Sequence, residues 1–97
     1  MSAVLMQLEE YYAMMSSFLS RLGYYPQEET MQFINANFTG DLFTKYMTFY
    51  YSDLKEMAIE TLNKSNEIRK SISDDIQNKD VLCALDDHLD LLRMYAM

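Results

Sequence analysis

The densest set of chemically capable side chains in this 97-residue sequence is Asp86-Asp87-His88-Leu89-Asp90, with Cys83 three residues before it. Carboxylates, an imidazole and a thiol are the materials of metal sites and of acid–base or nucleophilic catalysis. Such chemistry requires the groups to converge, and their spacing argues against it. On a helix, with Val81 at zero, His88 falls at about 340°, inside the apolar arc of Val81, Leu82, Leu85, Leu89, Leu92 and Ala96. Cys83, Asp86, Asp87 and Asp90 spread over about 140° to 240°, on the opposite side. The expectation is a histidine turned to the core and bonded to a neighbour, beside three aspartates on a solvated face. In a sharper reading, Asp86, Asp87 and Asp90 form an acidic patch that docks a basic partner. Negative charge beside Cys83 disfavours the reactive thiolate, so no nucleophilic role is expected of it.

Other catalytic signatures are missing. The sequence holds no glycine-rich phosphate loop, no His-Glu-x-x-His pair, no nucleophile elbow and no CxxC. Ser52-Asp53-Leu54-Lys55 matches a Ser-x-x-Lys pattern without its companion motifs, and serine and lysine are ordinary on an exposed helical face. A single cysteine excludes both an intrachain disulfide framework and a zinc site of several thiolates. Two glycines leave little material for the loops that carry active sites. No catalytic residue, metal or cofactor is therefore expected, and the chain does not read as an enzyme.

The side chains must be positioned by helices. Gly23, Gly40 and Pro26 are the only strong breakers, and all precede residue 41. Leu5, Leu8, Tyr12, Met15, Leu19 and Leu22 recur at spacings of 3 and 4, and Val4, Tyr11 and Phe18 widen the stripe. That pattern predicts a helix over 3–22 with an apolar arc of about 140°, ended by Gly23 as a left-handed cap. Pro26, Gln27, Glu28 and Glu29 suit a helix start, predicting a second helix over about 27–37 that Gly40 closes. Asp41 then caps a long central helix over about 41–77, carrying Phe43, Met47, Tyr50, Leu54, Met57, Ala58, Thr61 and Leu62 inward. Such a helix would measure about 55 Å in a domain only about 35 Å across, so a break near Asn63–Asn66 is the alternative. A final helix over about 80–96, capped by Asn78 or Asp80, folds back to cover Ile68, Ile72 and Ile76. The fold class is all-α: one domain over 1–97, a small antiparallel bundle of four helices, or five if the central one breaks.

Charge and composition narrow the function further. Fifteen acidic against eight basic residues give a net charge of −7, spread as −3, −2 and −2 over residues 1–40, 41–77 and 78–97. Direct nucleic-acid binding is disfavoured, because phosphate contacts need clustered lysine and arginine. The 49% apolar content is too high for disorder. The start, MSAVLMQLEEYY, has neither a basic leader region nor a long apolar run. A cytoplasmic location away from membranes is expected, and the sequons Asn37-Phe38-Thr39 and Asn63-Lys64-Ser65 are read as chance.

Residues 42–51 are unusually apolar, extending over an arc of about 200° when wound as a helix. The first explanation is a helix contacted by several neighbours of its own bundle. The second places Phe49 and Tyr51, at the arc's edges, in an interface together with Tyr24 and Tyr25 at a surface turn, since tyrosine, phenylalanine and methionine are enriched there. The nine methionines suit adaptable binding surfaces as well as core gaps. The functional expectation is a small acidic, non-catalytic protein that masks or inhibits a basic protein partner, the way immunity proteins, antitoxins and phage-encoded inhibitors work. The alternative is a self-assembling homo-oligomer, serving as a scaffold or holding a small ligand between subunits.

Overall fold

The hydroxyl of Ser2 accepts a hydrogen bond from the Leu5 amide at 3.2 Å and so starts helix α1, Ala3–Leu19. The computed structural model describes residues 2–46 and 53–97. A 3-10 turn, Ser20–Leu22, tightens the end of α1, and Gly23 stops it at φ 84°. The Gly23 N–H donates to the Ser20 carbonyl and the Tyr24 N–H to that of Leu19, the paired bonds of a Schellman cap. Helix α2, Glu28–Asn37, begins with two glutamates at the positive end of its dipole. Gly40, at φ 85°, separates it from a short helix α3, Asp41–Tyr46. Helix α4, Leu54–Lys70, is capped by the Asp53 carboxylate, which accepts from the Glu56 amide at 3.0 Å. Helix α5, Lys79–Ala96, completes an all-α bundle with no strand among the described residues.

The long central helix expected over 41–77 does not form. Asp53 has extended backbone, φ −111° and ψ 125°, because its side chain serves the amides of α4 from outside the helix. At the far end the chain leaves the helix at Ser71. The Ser71 hydroxyl donates to the Ile68 carbonyl at 2.6 Å, and the Ser73 hydroxyl accepts from the Asp75 amide at 3.2 Å. Short polar side chains here offer the backbone an alternative to the helical ladder. The molecule is 37 Å in its longest dimension, which a straight helix of about 55 Å would overrun. Asn63–Asn66, where a break was the alternative, lies inside α4 with Ser65 fully buried.

The centre of the bundle is α1 instead. Every residue from Tyr11 to Leu19 is buried. No charged side chain occurs between Tyr11 and Ser20, and a helix apolar on all sides must be covered on all sides. Ser16 and Ser17 fit this setting because their hydroxyls bond back to the Ala13 and Met14 carbonyls, at 3.3 and 2.6 Å. Helix α4 runs antiparallel to α1: Gln7 donates to the Ser71 carbonyl at one end, and Arg21 reaches the Met57 sulfur at the other. Helix α5 runs parallel to α1, pairing Tyr11 with Asp86 and Phe18 with Tyr95. Ile72 and Ile76 join the main core with Val81, Leu85, Leu89 and Leu92, as the predicted fold-back of the last helix requires. A smaller core of Ala13, Met14 and Tyr46 lies where α3 meets α1. Leu54, expected in the buried stripe, is exposed at the start of α4.

Candidate functional site

The Schellman cap at Gly23 turns the chain sharply and leaves Tyr24 and Tyr25 on the surface, 40% and 60% exposed. Tyr24 is nonetheless held in place. The Tyr95 hydroxyl donates to the Tyr24 oxygen at 3.0 Å, and the two rings meet edge-on with centroids 6.1 Å apart. That bond, before any burial, pushes the Tyr95 pKa up, since its phenol must keep its proton to donate. Tyr95 in turn packs edge-on against the buried Phe18 at 5.6 Å. A surface aromatic is thus connected through one ring to the core. Tyr25 extends back over the turn, its hydroxyl 3.5 Å from the Ser20 carbonyl.

The helix directions bring further apolar groups to the same end. Helix α5 runs parallel to α1, so Met94, 69% exposed, lies beside Tyr95 there. The contact between Arg21 and Met57 brings the start of α4, with Leu54 at 53% exposure, to this end as well. Glu28 and Glu29 open α2 at the close of the loop that carries the two tyrosines. Tyr24, Tyr25, Leu54 and Met94 are thus all exposed toward this end of the bundle, where Glu28 and Glu29 are exposed too.

The three aspartates expected to share a solvated face have three different surroundings. Asp86 is half-buried and turned inward. Its Oδ1 accepts from the Arg69 Nε at 2.8 Å and from the Tyr11 hydroxyl at 2.7 Å, and its Oδ2 accepts from the Arg69 Nη2 at 3.2 Å. Arg69 also donates to Asp74 at 2.6 Å and to the Ile72 carbonyl at 3.1 Å, closing the turn between α4 and α5. This fork holds the arginine charged, its bond to Asp86 pushing the guanidinium pKa up. Burial, reinforced by Asp86, pushes the Tyr11 phenol up as well. Asp86 faces inward because it sits at the edge of the α5 polar arc, next to the apolar side. Asp90 pairs with Arg93 on its own helix at 2.5 Å. Asp87 is exposed. Asp86 precedes Tyr95 by nine residues, about 13 Å along the helix, so that carboxylate and the tyrosine end are separate places, whereas Asp90 stands one turn before Met94.

The open groove of about 610 Å³ between α4 and α5 is walled by Arg69, Asp74, Asp86, Asp90 and Arg93, whose charges answer one another. His88 is half-buried as expected, but its Nε2 finds no hydrogen-bond partner among the described residues. Burial lowers its pKa and the nearby Asp87 partly opposes this. Cys83 is exposed and free. Among the described residues no three His, Cys, Asp or Glu side chains gather as metal ligands, and no helix is long and apolar enough to cross a membrane. Phe49 and Tyr51, two of the expected interface residues, lie outside the described residues.

Sequence reasoning overlooked Met94 and Arg69. Met94 carried a visible signal, since at about 220° on α5 it interrupts the polar arc. Arg69 carried none, because its partner lies 17 residues further along the chain and only the turn brings them together. No protein-family model, curated protein or solved structure matched the chain.

Proposed function

We propose that this is a non-catalytic binding protein that covers part of a basic protein partner with the Tyr24–Tyr25 end of its bundle. The observation that carries the reading is that Tyr24, Tyr25, Leu54 and Met94, four of the seven large apolar or aromatic residues exposed among the described ones, lie toward one end of the bundle. Tyrosine and methionine belong to the residue types concentrated at interfaces. The net charge of −7, with Glu28 and Glu29 beside the patch, would speed encounter with a positively charged surface. Masking or inhibition follows as the role such a cover can play without chemistry of its own, in the cytoplasm.

The test immobilises the chain and captures protein from cell extract at low and high salt, in parallel with Tyr25→Ala and Met94→Ala. A single basic protein should be retained at low salt, weakened as salt rises, and lost by at least about 2 kcal/mol in the variants. Retention that neither variant reduces would place the contact elsewhere. Light scattering decides the alternative of self-assembly: a mass of twice 11.5 kDa that Tyr25→Lys returns to one would assign the same end to a second copy.

A further inference from the structure

Glu9 sits on α1, away from the tyrosine end, and is only 4% exposed. Its two hydrogen bonds are both with Thr39: the backbone N–H donates to Oε1 at 2.8 Å and the hydroxyl to Oε2 at 3.1 Å. A carboxylate has about four lone-pair positions, so these bonds occupy half of them. Burying a charge is costly unless an opposite charge answers it. Thr39 supplies neutral donors, and none of the ion pairs among the described residues includes Glu9. The structure has thus placed an oriented carboxylate inside the protein without a cation.

A cleft of about 290 Å³ opens beside it, between α1, the end of α2 and the start of α3. Its walls include Glu9, Tyr12, Ile34, Phe38 and Phe43. The Tyr12 and Phe38 rings stand 6.1 Å apart, tilted by 38°. Gly40 completes the lining, and nothing lies within 4 Å of where a Cβ would stand, so the cleft is open on that side. The volume is near the lower limit of small-molecule sites, about 300–1,000 Å³.

We infer that this cleft binds a small organic ammonium ion, its charged head beside Glu9 and its apolar arm against Tyr12, Phe38 and Phe43. Aromatic faces attract cations, and a hydrogen bond to an ionised partner is stronger than one between neutral groups. Both effects grow where rings exclude water. The bonds from Thr39 fix the carboxylate before the ligand arrives, which reduces the ordering that binding must impose. A neutral alcohol of the same shape gains the apolar contact and one hydrogen bond but not the attraction between opposite charges, and an anion is repelled. The inference is independent of the protein-binding role, because the cleft and the Tyr24–Tyr25 end share no residue.

The experiment titrates the whole chain with benzylamine, benzyl alcohol and benzoate, following backbone amides by two-dimensional NMR. Benzylamine should move the amides of Glu9, Thr39 and Gly40 along a saturating curve, at least about tenfold tighter than benzyl alcohol, and benzoate should leave them in place. Glu9→Gln should abolish the preference for the amine over the alcohol. If that variant does not fold, the exposed rim residue Asn35 decides: Asn35→Lys should weaken benzylamine about two- to fivefold, and Asn35→Glu should strengthen it similarly. Equal affinity for amine and alcohol would overturn the inference, as would indifference to charge at position 35. So would shifts at the exposed Asp87 as large as those at Glu9, which would mean diffuse attraction to an acidic surface.

Discussion

Helices α1 and α4 are both 17 residues long and lie side by side, yet α1 is enclosed from Tyr11 to its end while α4 keeps one side in water. Helix α1 carries two charged residues, Glu9 and Glu10, and α4 carries seven, including an exposed Glu60–Lys64 pair one turn apart. Helix α4 buries Met57, Ala58, Thr61 and Ser65, a single narrow face. Length and stripe quality would have made either helix the centre. The stretch free of charge from Tyr11 to Ser20 is what selects α1, because desolvating even one lysine would offset much of the gain from packing.

The sharpest way to break this comparison is to empty the centre. Phe18→Ala removes a fully buried ring and should cost about 3–5 kcal/mol in a urea melt. Set against a total of about 5–15 kcal/mol, a smaller loss would mean that α1 is not the true core. Asp86→Ala comes next. It strands Arg69 and the Tyr11 hydroxyl and should cost about 1–3 kcal/mol, with part of the loss restored by Asp86→Asn. Smaller again is an effect of pH. Burial puts the folded pKa of His88 below its ordinary 6.5, so as pH falls from about 7 toward 5 the unfolded chain takes up the proton first. Stability should therefore fall over that range, and His88→Leu should flatten the fall when urea midpoints are compared at the two ends. An equal decline in the variant would assign the slope to carboxylates.

Two substitutions probe the outer helix. The Ser65 hydroxyl is fully buried with no partner among the described residues, so Ser65→Ala should raise stability by up to about 1 kcal/mol. A loss there would reveal a hydrogen bond made in solution. Leu54→Ala, at the exposed start of α4, should change stability by no more than about 0.5 kcal/mol. The contrast between Phe18 and Leu54 is the comparison reduced to two residues.

Features marked by residues with one dominant preference were legible in advance. Gly23 ended α1, Gly40 separated α2 from α3, and the Val81–Leu92 stripe announced α5 within a residue of its start. Asp53 and Ser71 were not legible as boundaries, since aspartate and serine are as common on a helix face as at its ends, and only their hydrogen bonds decide between the two. The same ambiguity hid Asp86, whose type suggested solvent while a partner from another helix drew it inward. Tyr24 and Tyr25 were legible as surface residues because a glycine stop must be followed by a turn. Glu9 was not, because burying a carboxylate contradicts its residue type and depends on Thr39, thirty positions away.

The enclosure of α1 also has a consequence in time. The helix that needs the most cover is synthesised before the residues that complete its cover, up to Tyr95. At about 5–20 residues per second, roughly 4–15 s separate Leu19 from Ala96 on the ribosome. During that interval the Tyr11–Leu19 surface has no native partner from α5, and anything that lengthens it extends the exposure of the nascent chain to aggregation.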